Sequence, residues 1–182
     1  DRIAQIYQSQ TFNGNVGTGQ AIPRPLEMLL RNEYQDNFNH IAMSSWTNSS
    51  YIKYGETNIS RSGNYIQPEG LNIFTPKIIK GSSSGLDEQN SIMLSASAAK
   101  AIFGNEEPLG KIVEVNSVDN MTVTAIYEDF PVNTSMESVH YLMTWDYYLS
   151  TRAWARNSID NWGNNSFQLF VEIANNSTME GV

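Results

Sequence analysis

The sequence predicts an α+β chain folded as two lobes, and three observations carry that expectation. Short segments of alternating apolar and polar residues outnumber helical ones. Apolar residues recur at helical spacing in only a few places. A change of texture over 67–85, rich in Gly and Ser, sets off a compact strand-helix-hairpin block from flanking segments that each read strand-helix-strand. A length of 182 residues suits one domain, or one domain with an inserted lobe, and 40% hydrophobic residues can build a buried core. The 19 Asp+Glu against 11 Lys+Arg give a net charge of -8, and the basic residues are scattered. That balance argues against nucleic acid as a partner, because phosphate-backbone affinity needs clustered cations. Cysteine is absent, which excludes disulfides, thiolate nucleophiles and zinc sites built on Cys. No run approaches the roughly 18 to 20 apolar residues of a membrane span. The chain reads as a soluble piece of a longer protein, because it starts at Asp1 and its last residues, 175–182, bring no closing element.

From the N-terminus, Arg2 to Phe12 alternates as a half-buried strand does, and Asn13 to Gln20 reads as a glycine loop whose GxxGxG spacing departs from the dinucleotide fingerprint. Pro23 and Pro25 suit a first helical turn, and Leu26, Leu29, Leu30 and Tyr34 continue it to about 35. Phe38 to Ile66, rich in Ser, Asn, Thr, Tyr and Ile, predicts two or three antiparallel strands. Leu71 to Ile79 is a short apolar segment leading into the flexible 80–85. Ser91 to Leu94 then reads as a buried strand, with Ser95 as N-cap of a helix through Phe103 that Gly104 closes. Lys111 to Val115 and Met121 to Tyr127 predict a hairpin. Val139 to Thr144 reads as a strand, Asp146 to Ala155 as a helix, and Phe167 to Ala174 as the last strand.

Few residues offer chemistry. His40 and His140 lie far apart with no metal-ligand spacing, which suits structural histidines and no metal. Ser97-Ala98-Ala99-Lys100 matches the S-x-x-K of acyl-transfer enzymes, but the partner motifs Ser-Asp-Asn and Lys-Thr-Gly are missing. Carboxylate pairs at Asp87-Glu88, Glu106-Glu107 and Glu128-Asp129 fall in turns, where solvated surface is the plain reading. Trp145, Tyr147, Tyr148, Trp154 and Trp162 suit core packing around the C-terminal helix better than a sugar- or peptide-binding face.

Residues 91–113, SIMLSASAAKAIFGNEEPLGKIV, resemble the signature of the periplasmic core domain of MacB-like, FtsX-type ABC transporter permeases. In that family a buried strand, a helix ending in Phe-Gly and an acidic-Pro-hydrophobic-Gly-Lys turn follow in order, here with Phe103, Gly104, Pro108, Gly110 and Lys111. Val123 to Ile126 and the turn Asp129-Phe130-Pro131-Val132-Asn133-Thr134 are similar to its next strand and its Asp-x-Pro-x-Asn-Ser turn. Ala125 stands where the family usually has Gly, and Ser135 where His is common.

The resemblance implies a two-lobed domain: a porter-like α/β lobe from 1–66 plus 130–182, and an inserted, mostly β, sabre-like lobe from 67–129. It implies a domain set between transmembrane helices of the whole chain, on the periplasmic face of the inner membrane of a Gram-negative bacterium. Such a domain has no catalytic or cofactor role. It works with a cytoplasmic ATPase, a periplasmic adaptor or substrate protein, and a second permease copy in a dimer, for export of peptides, lipoproteins or toxic compounds, or for mechanical signalling. Asp129, Pro131 and Asn133 are then structural, as are the other motif residues. The exposed loops around Ser82, Ser83, Ser84, Asp87 and Glu88 and around Glu106 and Glu107 become candidate partner contacts on their loop character. A stand-alone extracytoplasmic ligand-binding module and a Ser97/Lys100 hydrolase are the alternative readings.

Overall fold

The computed structural model describes residues 2–178. The strands are β1 (Ile3–Gln5), β2 (Gln8–Phe12), β3 (Asn15–Gly19), β4 (Ile22–Pro23), β5 (Phe38–Ser44), β6 (Asn48–Tyr54), β7 (Thr57–Ile66), β8 (Ile78–Gly81), β9 (Ser91–Ser95), β10 (Ile112–Val115), β11 (Asp119–Tyr127), β12 (Tyr141–Thr144) and β13 (Asn165–Ile173). The helices are α1 (Pro25–Glu33), α2 (Gly70–Phe74), α3 (Ala96–Phe103), α4 (Trp145–Thr151) and α5 (Ala153–Arg156). Mixed α and β structure with strands in the majority is the predicted class.

The main sheet runs β1-β13-β5-β7-β12-β9-β11-β10-β6, and β6 returns to pair with β7. Six strands, β7, β12, β9, β11, β10 and β6, therefore close into a ring, which removes free edges from that part of the sheet. β12 is parallel to β7 and antiparallel to β9, β9 is parallel to β11, and β10 bridges β11 and β6 antiparallel. Residues 67–129 supply β9, β10 and β11 to this ring, and the flanking segments supply β6, β7 and β12. The expected boundaries at 66/67 and 129/130 fall within one hydrogen-bonded sheet.

The period of two along each strand sorts the ring's side chains. Ile92 and Leu94, Val113 and Val115, Met121 and Val123, and Tyr141 and Met143 belong to one buried cluster together with Ile52. α3 packs against β6, β7, β9 and β11 and adds Ala98, Ile102 and Phe103 to the same cluster. The alternate residues Met93, Ala125, Tyr127 and Leu142 point the other way, into a second cluster with Leu71 and Leu86. Both faces of these central strands are thus covered, and Ser91 to Ser95 is buried at every position. β5 repeats the logic: Ile41 and Met43 join the main cluster, while Ala42 packs with Ile73 of α2 and Phe170 of β13.

Four elements differ from the expected ones. Pro23, expected in the first helical turn, pairs in β4 with β13 while α1 starts at Pro25. The single strand expected over Arg2 to Phe12 is split into β1 and β2. Residues 8–19, read as the end of a strand plus a loop, form the β2–β3 hairpin across Asn13-Gly14, with both turn residues at positive φ (49° and 80°). Such a turn matches the right-handed twist of the strands it joins. The helix expected over 146–155 is broken at Arg152, whose φ of -126° and ψ of 91° are extended. The break lets the Arg152 guanidinium lie over the rings of Tyr65 and Tyr148, 4.7 and 4.4 Å from their centroids, where the two rings themselves meet at 5.1 Å. Among the described residues no helix is long and apolar enough to cross a membrane.

Candidate partner-contact surface

The two stretches of sequence that carry the family resemblance meet at the start of α3. Ser95 is the N-cap: its Oγ accepts from the Ala98 amide at 3.3 Å. The next amide, that of Ser97, donates to Asp129 Oδ2 at 2.9 Å, and the Ser97 hydroxyl donates to Asp129 Oδ1. A carboxylate from the Asp-x-Pro turn thus supplies a second cap to a helix some thirty residues upstream, where the helix dipole favours negative charge. His140 Nδ1 lies 3.5 Å from Asp129 Oδ1 and 3.3 Å from Ser95 Oγ. Partial burial works against the Asp129 charge, but the Ser97 hydroxyl and amide outweigh it and hold the carboxyl below its ordinary value.

This arrangement makes Asp129 a stability determinant with a defined sign. A carboxyl whose native pKa is depressed stabilises fully above its unfolded value, about 3.9, and the contribution is lost as pH falls through the lower native value. Asp129→Ala is expected to cost about 1 kcal/mol near neutral pH, typical of a lost cap. Urea titrations of both proteins should show that gap closing as the pH drops below about 4. A gap independent of pH would contradict the assignment.

The same geometry bears on the Ser97/Lys100 pair. The Ser97 hydroxyl donates its hydrogen bond to a carboxylate, and Lys100 Nζ donates to Asn105 Oδ1 at 2.6 Å instead of facing Ser97. A nucleophile needs a base positioned on its hydroxyl. Lys100 instead anchors the turn after the helix, which Gly104 ends at φ +62° with its amide on the Lys100 carbonyl.

The remaining motif residues build that turn. Phe103 is buried against Tyr54 with centroids 4.7 Å apart, Pro108 is buried, and Gly110 takes a φ of +73° while its amide donates to the Val123 carbonyl at 2.8 Å. Lys111 Nζ lies 5.9 Å from the centre of the Tyr54 ring. Glu106 and Glu107 are exposed. Glu106 accepts from Tyr54 OH at 3.3 Å, and Glu107 pairs with Lys80 at 2.6 Å, which lowers its pKa chiefly through that hydrogen bond. Lys80 belongs to β8, so this ion pair sets the 105–110 turn beside the start of the 82–90 loop.

In that loop Ser82, Ser83, Ser84, Asp87 and Glu88 are exposed, whereas Gly85 and Leu86 are buried and anchor it. Thr124 Oγ1 donates to the Gly85 carbonyl at 2.6 Å, and Thr144 Oγ1 to the Gln89 carbonyl at 2.6 Å. Ser83, Ser84 and Asp87 line a groove of about 440 Å³ with Pro68, Asn72 and Ile78, and Glu88 faces a different one beside Thr122. The structure therefore ties Lys80, two residues before Ser82, to Glu107, and places Asp87 with Ser83 and Ser84 on one groove and Glu88 on another. Asp129 and Pro131 line a third groove, about 560 Å³, with Phe74, Phe130 and Met136. Asn133 is exposed in the turn that the Pro131 carbonyl closes by accepting from the Thr134 amide.

Sequence reasoning missed three features. One is the second cap from Asp129, for which an Asp two residues before a Pro gives no sequence-local signal. Another is the Arg152 contact. The third is an ion cluster in which Arg31 bridges Glu27 and Glu69, both at 2.7 Å, while His40 Nδ1 contacts Glu69 at 3.2 Å. That cluster ties α1 and β5 to the residue before α2. Among the described residues, no group of three or more His, Asp or Glu is placed to hold a metal ion.

The fold has solved counterparts. A domain assigned to a permease protein of Porphyromonas gingivalis superposes with a TM-score of 0.75 at 18% identity, covering 99% of this chain and 76% of that one. The periplasmic region of MacB from Actinobacillus actinomycetemcomitans gives 0.66 at 19%, covering 89% and 69%. The extracellular domain of the noncanonic ABC-type transporter YknZ from Gram-positive bacteria gives 0.61 at 16%, covering 86% and 75%. No curated protein matches the chain. The model of the MacB-like periplasmic core domain matches residues 1–182, the full span of the sequence, and includes the capped helix and the turn that the resemblance rested on; the chain belongs to that family.

Proposed function

We propose that this chain is the periplasmic domain of an ABC transporter permease in the inner membrane of a Gram-negative bacterium, a non-catalytic unit that couples ATP hydrolysis elsewhere to export or to mechanical signalling. The observation that carries the reading is the family match over residues 1–182. Its solved neighbours include the periplasmic region of MacB and the extracellular domain of an ABC-type transporter, which supports a place outside the cytoplasm and the transporter class. In this reading a cytoplasmic ATPase drives two permease copies, and the domain moves as a rigid body with the transmembrane helices of the whole protein. The porter-like and sabre-like division then describes roles: 1–66 with 130–182 connects to the membrane, and 67–129 offers Ser82 to Ser84, Asp87, Glu88, Glu106 and Glu107 to an adaptor or substrate protein.

The test uses the intact natural protein with an end tag. Cell fractionation should place it in the membrane, and protease added to the outer face of the inner membrane should cut within these residues. A soluble protein, or one cut only from the cytoplasmic side, overturns the reading. Charge reversal at Glu106 and Glu107, or at Asp87 and Glu88, is expected to weaken capture of the periplasmic partner without changing membrane insertion. Capture unchanged by both pairs would remove these loops from the interface.

A further inference from the structure

Residues 3–23 contain no Asp, Glu, Lys or Arg, in a chain whose net charge is -8. Within that stretch β2 and β3 form a two-stranded sheet of their own, and among the described residues no other strand pairs with either. The strands carry none of the usual guards of an open edge, since they have no charge, proline or bulge. Opposed residues share a face and alternate residues return to it. Phe12, Gln10 and Gln8 therefore stand on one face with Asn15, Gly17 and Gly19.

On that face a knob sits next to a hole. Phe12 is 78% exposed, and open space lies over both Gly17 and Gly19 within a groove of about 600 Å³. One strand repeat separates them, about 7 Å. At the foot of the groove Gln8 Oε1 and Asn165 Oδ1 are buried without a hydrogen-bond partner.

We propose that the Phe12 face of the β2–β3 hairpin docks on the same face of a second copy of this chain, each Phe12 ring resting over the glycines of the other. A knob and a hole adjacent on one face are complementary to themselves under a two-fold rotation, and such a contact closes at the dimer. Charge selects the same occupant. Two copies of net charge -8 repel over most of their surface, and the hairpin is the stretch where they meet without like-charge cost.

Analytical ultracentrifugation of the 182-residue chain over about 5 to 500 µM tests this, a range suited to a contact of this small size. A concentration-dependent dimer is expected. Phe12→Ala removes the knob and Gly17→Leu fills the hole. Gly17 has no positive φ and no neighbour that a side chain would strike, so both variants should keep the native circular dichroism. Each is expected to weaken dimerisation at least tenfold. Mixing the two should restore association above either alone, because the knob of one meets the hole of the other. A monomer throughout the range, a dimer indifferent to both variants, or a mixture no stronger than its parts overturns the proposal. So does a monomer that instead floats with phosphatidylcholine vesicles in a Phe12-dependent way, which would make the face a membrane contact.

Discussion

Gly63→Ala is expected to destabilise the protein by about 3 kcal/mol or more, the upper range of overpacking penalties. Gly63 lies in β7 at the point where the strand pairs with β6 through Asn48 and with β12 through Tyr141. A methyl group there would run into the Tyr141 carbonyl oxygen and into its ring, whose Cγ is 2.5 Å from the site. Neither can yield cheaply. The carbonyl belongs to the backbone of a strand held on both sides. The Tyr141 ring is pinned at its far end, where its hydroxyl donates to the Asn48 carbonyl at 3.0 Å and meets Ser50 Oγ at 2.9 Å, and burial pushes its pKa up to about 12. Relief requires β12 to separate from β7, and that opens the ring of six strands. Equilibrium unfolding in urea measures the effect. A Gly63→Ala variant within about 0.5 kcal/mol of the native protein, the range of a surface change, would show that the ring opens without cost.

Strand-rich segments, helix ends and the core alternation were legible because each is a local pattern. The Ser95 cap, the Gly104 stop and the 112–127 hairpin fall where the sequence predicts them, each specified within a few residues. The β2–β3 hairpin was also written locally, in Asn13-Gly14, the strongest short hairpin signal. The sequence does not show it otherwise, because the flanking strands are mostly polar and bury no hydrophobic side chain. Ring closure was not legible at all. The pairing of Glu114 with Lys53 and Val115 with Ile52 joins residues more than sixty positions apart, and no local pattern records which edge meets which.

That closure also changes what the motif residues mean. The block at 91–113 falls by sequence within the expected inserted segment 67–129. In the structure its strand pairs with β12 and with β11, its helix spans strands from both sequence segments, and its N-terminus is capped from the Asp129 turn. The motif joins the chain's halves, which is a fold requirement. The exposed residues Ser82 to Ser84, Glu106 and Glu107 belong to none of the six ring strands, and substitution there is expected to leave the ring intact.

Phe167→Ala is expected to cost about 3 to 5 kcal/mol, the range for deleting a buried aromatic side chain, out of a total of roughly 5 to 15 for a domain. Phe167 is fully buried in β13 opposite Ile22, itself fully buried. Its ring meets the edge of Trp145 at 5.6 Å and stacks on Trp154 at 5.6 Å and 11°. The cavity cannot collapse easily, because Trp145 is held in turn by stacking on Tyr148 at 5.0 Å, and Tyr148 by Arg152. Trp154 is 49% exposed and rests on Phe167 from the solvent side, so loss of the ring also releases α5. Two readouts separate this from a general loss of packing. Phe167→Leu, which keeps most of the volume, should cost under about 1.5 kcal/mol. In Phe167→Ala below its unfolding transition, acrylamide should quench tryptophan emission more strongly than in the native protein. A stability change below about 1 kcal/mol with unaltered quenching would mean that the α4–α5 segment seats without Phe167, and that the aromatic cluster is held by Arg152 and the tyrosines alone.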